Sequence, residues 1–97
     1  MVNTYRRGRI AERKVANDLA DKGFVNIRRS SGSRGPADIY AVRDGRKYYV
    51  QVKSGSARAG PEDIGKLRAL AKDRGGTAVV IHRKEGKHRW RFFGTWG

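Results

Sequence analysis

The sequence predicts an α/β domain with elements in the order αβββαββ, forming a central mixed five-stranded sheet flanked by helices. Three observations carry this. Two segments, one starting near Arg7 and one at Pro61, repeat apolar residues at helical spacing and end on glycine. Between them, two β-rich runs meet at Asp44-Gly45, a pair suited to a type I′ hairpin turn, which needs φ > 0 at both central positions. Beyond the second helix, Ala78-Val79-Val80-Ile81 is wholly apolar, as a strand buried on both faces in the middle of a sheet should be.

The elements follow in order. Residues 1–6 are polar and basic and read as a flexible arm. In the first helix, Arg7 to Asp21, Ala11, Val15 and Leu19 recur at i+4 with Ala16 and Ala20 alongside, and Lys22-Gly23 supplies a basic last turn and a stop. Glu12 breaks this pattern. It precedes Val15, Ala16 and Leu19 at helical spacing and so shares the core-facing side, where an unpaired carboxylate is costly and needs a cation or an ion-pair partner. Phe24 to Arg29 reads as an alternating first strand. It runs into Ser30-Ser31-Gly32-Ser33-Arg34-Gly35-Pro36, which can offer backbone N–H groups, hydroxyls and a guanidinium to a phosphate, or serve as a plain connector.

The register of the hairpin follows from its turn. Arg43 faces Arg46, Val42 faces Lys47, Tyr40 faces Tyr49, and Asp38 faces Gln51. Side chains alternate, so Asp38, Tyr40, Tyr49, Gln51 and Lys53 share one face, expected to carry chemistry. Ile39, Ala41, Tyr48, Val50 and Val52 occupy the other, expected to be core. A second small-residue loop, Ser54 to Gly60, contains Arg58. Pro61 at a first helical position, with Glu62 and Asp63 in the first turn, opens the second helix; Ile64, Leu67, Leu70 and Ala71 form its stripe and Arg74-Gly75-Gly76 closes it. After strand 78–81, Arg83 to Lys87 is a polar turn around Gly86, and His88 to Phe93 alternates as a last, peripheral strand.

Composition narrows the partner. Ninety-seven residues suit a single domain, 1–97. Twenty-three Lys and Arg against nine Asp and Glu give a net charge of +14, which points to a polyanion and above all to nucleic acid. The charge runs through the whole chain instead of concentrating in one amphipathic helix, so no membrane partner is expected. Cysteine is absent, which excludes disulfides and thiolate metal sites, and no apolar run reaches membrane-spanning length or forms a signal peptide. An intracellular, cytoplasmic protein is the expectation.

The hairpin face assembles what phosphodiester cleavage with a divalent metal requires. Mg²⁺ prefers hard oxygen ligands and keeps several waters, so one or two carboxylates plus carbonyls suffice. Asp38 and the Gln51 amide oxygen lie at cross-strand distance, the Val52 backbone carbonyl is a natural further ligand, and Glu12 points inward from the first helix. Lys53, on the same face, can stabilise a hydroxide nucleophile or the charge growing on the phosphate. Other roles compete. Glu12 could instead pair with Arg29 or Lys53; Tyr40 and Tyr49 suit a stacked cross-strand pair better than a base platform; His82 and His88 lack zinc spacing; Trp90 and Trp96 suit packing.

Pro36-Ala37-Asp38 with Gln51-Val52-Lys53 resembles the PD-(D/E)xK nuclease signature. Tyr5-Arg6-Arg7-Gly8, Ala11-Glu12-Arg13, Gly23-Phe24, Arg29-Ser30-Ser31-Gly32-Ser33 and Arg91-Phe92-Phe93 further resemble the archaeal-type Holliday junction resolvases, over nearly the whole chain. The resemblance implies a restriction-endonuclease-like core and a homodimer that binds four-way DNA junctions and nicks two opposed strands with Mg²⁺, for which Mn²⁺ should substitute, without a small-molecule cofactor. It makes Glu12, Asp38 and Gln51 metal-site residues and Lys53 the catalytic lysine, with Arg13, Arg29 and Ser33 contributing to phosphate binding or catalysis. Arg6, Arg7, Ser31, Arg34 and Arg58 complete the expected DNA-contacting set.

Two departures stand out. The family has glutamate where this chain has Gln51; an amide still coordinates through oxygen but removes one negative charge and weakens cation binding. The chain also stops just after the last strand, where such resolvases continue into dimer contacts. A duplex-nicking repair or restriction-type nuclease and a catalytically inactive junction-binding module are the alternatives.

Overall fold

The computed structural model describes residues 4–30 and 35–97, with side chains from Arg9 onward. Its elements are α1 (Thr4–Asp21), β1 (Val25–Arg29), β2 (Ile39–Arg43), β3 (Arg46–Ser54), α2 (Pro61–Arg74), β4 (Thr77–Lys84) and β5 (Lys87–Thr95). They form the mixed five-stranded sheet expected, in the order β1-β2-β3-β4-β5. Only β3 and β4 run parallel, because α2 carries the chain back across the sheet between them. Helix α1 starts at Thr4, so residues 4–6 of the expected arm are helical: arginine loses little rotamer freedom in a helix and simply extends it. The helix stops where expected, with Gly23 at φ 87° and the Phe24 N–H donating to the Leu19 carbonyl at 3.0 Å.

Strand β1 departs from simple alternation. Its pairing with β2 shifts between Val25 and Arg28, where Asn26 takes φ 52°, so Val25 turns to solvent at 56 % exposure while Ile27 packs on the core. The hairpin has the expected register, from Arg43↔Arg46 through Tyr40↔Tyr49 to Ile39↔Val50, around Asp44 and Gly45 at φ 52° and 76°. A second turn of the same kind, Glu85-Gly86 at φ 52° and 77°, joins β4 to β5. It is tighter than the expected 83–87 turn and lengthens both strands.

Both faces of the sheet carry core. Val15 and Leu19 of α1 bury Ile39, Ala41, Val50, Val79 and Ile81 on one side; Leu67 and Ala71 of α2 bury Tyr49, Ala78 and Val80 on the other. The expectation of one chemical and one apolar face is therefore corrected: α2 covers the middle of the Tyr49 face and leaves uncovered the end where Asp38 and Lys53 lie. Gly76 makes this covering possible. A Cβ there would strike the Tyr49 ring and stand 2.8 Å from the Lys47 carbonyl oxygen.

Candidate active site

Asp38 occupies the junction of three strands. It lies just before β2; its N–H donates to the Val50 carbonyl at 2.8 Å and its own carbonyl accepts the Ser30 N–H at 2.8 Å. Its carboxylate Oδ2 accepts the Val52 N–H at 2.8 Å. Reaching Val50 with its backbone and Val52 with its side chain, Asp38 straddles Gln51, the partner that the hairpin register assigns to it. One carboxylate oxygen is committed to holding this geometry and Oδ1 is left for a ligand. Burial pushes the Asp38 carboxyl above its ordinary value, against the Val52 hydrogen bond and the charge of Lys53.

Gln51 sits in the middle of β3, 8 % exposed, and its Oε1 is buried with no hydrogen-bond partner. A buried acceptor in that state costs free energy unless a ligand satisfies it. Glu12, half-buried on α1, lies close enough to Asp38 for their charges to interact. Its carboxyl is also raised, first by burial and then by the charge of Asp38, with Arg29 and Arg9 acting in the opposite sense. Two mutually coupled carboxyls, with an unsatisfied amide oxygen on the strand that Asp38 grips, are hard-oxygen donors of the kind a divalent cation takes. The cluster holds no third acid: among the described residues no group of three His, Cys, Asp or Glu side chains converges.

Lys53 points along the same face, but its ammonium lies 4.0 Å from the Asp63 carboxylate of α2, so the ion pair weighed for Glu12 and Lys53 is replaced by one between Lys53 and Asp63. Asp63 also accepts the Gly60 N–H at 3.4 Å, tying the loop before α2 to the lysine. On the other flank, Arg29 donates to the Arg9 carbonyl at 3.4 Å, and Arg9, Ile10, Arg13 and Arg29 line a hollow of about 330 Å³. Three guanidiniums around one hollow suit a phosphate. Arg9 was not among the residues expected from sequence, although its i, i+4 spacing to Arg13 could have indicated it.

Arg58 lies exposed on the loop after β3, beside Lys53. Arg6 and Arg7 lie on the first turns of α1, with side chains outside the described residues; Ser31, Ser33 and Arg34 fall outside them altogether. The two histidines act structurally, His82 against the Gly55 carbonyl at 2.7 Å and His88 against Asp18 at 3.1 Å. Tyr40 and Tyr49 meet edge to face at 5.6 Å instead of stacking.

Comparison with known proteins agrees with this architecture. No curated protein matches the chain. Among solved structures, that of Hjc from Archaeoglobus fulgidus, a Holliday junction resolvase from an archaeal hyperthermophile, shares the fold with a TM-score of 0.73 at 24% identity, covering 90% of this chain and 71% of that one. The family model described as archaeal Holliday junction resolvase (Hjc) matches residues 3–95. The chain thus belongs to the archaeal Holliday junction resolvase family, and its function is that of a structure-selective endonuclease of DNA junctions.

Proposed function

We propose that the protein nicks opposed strands of a four-way junction as a homodimer, with Mg²⁺ held by Glu12, Asp38, the Gln51 oxygen and the Val52 carbonyl. The observation that carries this reading is the buried Gln51 Oε1 without a hydrogen-bond partner, on the strand that the Asp38 carboxylate grips at the next residue, with the Glu12 carboxyl close enough to Asp38 for their charges to interact. A bound divalent cation supplies Lewis-acid polarisation of the scissile phosphate, and Mn²⁺, with the same oxygen preference, should substitute. The Val52–Asp38 hydrogen bond sets the carboxylate in place before substrate arrives. Lys53 places its ammonium against the charge that develops on the phosphate, and Asp63 steers it there. Arg9, Arg13 and Arg29 grip a neighbouring phosphate. The two-fold symmetry of a homodimer matches the two strands to be cut.

The second reading, binding without cleavage, has Gln51 itself in its favour. With glutamine in place of an acid the site offers two carboxylates, and both favour a proton more than an ordinary carboxylate does, which competes with the cation. Incubating four-way junction and matched linear duplex with Mg²⁺ or Mn²⁺ separates the readings. Paired symmetric nicks in the junction alone support the resolvase; cuts in both substrates indicate a duplex nuclease; tight junction binding without product under either metal indicates a binding module. Asp38→Ala should abolish cutting and spare binding, and full residual activity would remove Asp38 from the site.

A further inference from the structure

The face that carries Lys53 continues across the sheet to its open edge. Lys53 on β3 pairs with His82 on β4, which pairs with Arg89 on β5; two residues earlier on β3, Gln51, Val80 and Arg91 align in the same way. Neighbouring strands stand about 4.8 Å apart, so Arg89 lies roughly 10 Å across the sheet from Lys53. Arg58, from the loop between β3 and α2, walls the same hollow of about 390 Å³, which no carboxylate lines.

The hollow is built from fixed parts. His82 Nε2–H donates to the Gly55 carbonyl at 2.7 Å, which can only accept, and the Gly55 N–H donates to the Arg83 carbonyl at 3.0 Å, so the loop bearing Arg58 is fastened to β4 at two points. The Arg91 guanidinium lies over the Phe93 ring at 5.2 Å, which orders a long side chain. None of the ion pairs among the described residues involves Arg58, Arg89 or Arg91. Three unneutralised guanidiniums on a rigid surface, continuous with the site and free of acids, fit successive phosphates of one strand.

We propose that Arg58, Arg89 and Arg91 form a phosphate track that holds the DNA strand beyond the phosphate seated at Lys53. The inference rests on the reading of Lys53 as catalytic. It is tested by junction affinity against salt concentration, in EDTA, for the wild type, Arg89→Ala/Arg91→Ala, and Lys66→Ala/Lys72→Ala, which removes the same charge from the exposed face of α2. Each lost phosphate contact lowers the log–log salt slope by about 0.9, so the arginine pair should lower it by roughly 2 and the lysine pair by less than about 0.5. Arg89→Lys/Arg91→Lys should restore most of the slope. An unchanged slope in the alanine pair, an equal fall in the lysine control, or no rescue by lysine would each overturn the track. Because the binding measurement needs no cleavage, a wild type that binds but never cuts would refute the role of Lys53 and leave the salt slope to decide the track.

Discussion

Replacing Gln51 by methionine should stabilise the protein while disabling it. Gln51 Oε1 is buried without a partner, in a residue 8 % exposed. An unsatisfied buried acceptor costs about 1–3 kcal/mol, and an apolar side chain of the same shape removes that cost. Methionine reaches as far as glutamine and, like it, is unbranched through Cγ, so little repacking strain follows. For a domain of this size each kcal/mol corresponds to roughly 4–8 °C in Tm. Thermal unfolding in EDTA should therefore show Gln51→Met melting several degrees above the wild type, while the same sample loses junction cleavage. Added Mg²⁺ should raise the Tm of the wild type and leave that of the variant nearly unchanged, since ligand binding stabilises only a native state that can hold the ligand. An equal or lower Tm for Gln51→Met in EDTA would refute the claim that Oε1 is unsatisfied. Undiminished cleavage would refute its role as a ligand.

Other expectations follow from the same geometry. Gln51→Glu adds a third carboxylate beside Asp38 and Glu12; it should lower Tm in EDTA and match or exceed wild-type cleavage at low Mg²⁺, and a clear loss of cleavage would give the amide a specific role. Burial raises the Glu12 and Asp38 carboxyls, so the native state binds protons more tightly than the unfolded chain. The sign is fixed: stability should fall as pH rises from the ordinary carboxylate range through the native values, and level off above them. Asp38→Asn removes one charge that raises Glu12, so the Glu12 carboxyl, followed by carbon NMR, should titrate lower than in the wild type; an unchanged midpoint would deny that coupling. Gly76→Ala drives a Cβ against the Tyr49 ring and the Lys47 carbonyl and should cost about 1–3 kcal/mol in urea unfolding.

Much of this was legible in residue order because the interactions that decide it are local. The Asp44-Gly45 turn sets the register of β2 on β3 through two backbone conformations, and that register carries the chain from Ile39 opposite Val50 into Asp38, which bonds Val50 and Val52 on either side of Gln51. Helical spacing likewise places Glu12 on the inner side of α1. Local pattern could not reveal the bulge at Asn26, a change of backbone conformation that leaves the run Phe24 to Arg29 looking like an ordinary strand. Nor could it show that α2 roofs the Tyr49 face, since a half-polar strand reads the same whether its outer side meets water or a helix.

What the sequence by itself determined is the inventory and its placement: an acid, an amide and a lysine at one end of a hairpin and a second acid on the inner side of α1, on a chain basic enough to seek DNA. Only the tertiary structure decided their electrostatic state. Burial raises both acids, the Val52 N–H binds Asp38, Asp63 of α2 draws Lys53, and the crossover through α2 sets β4 and β5 beside β3 so that Lys53, His82 and Arg89 form one row. Such effects depend on distances between residues far apart in the chain, and those distances exist only once the sheet is assembled around both helices.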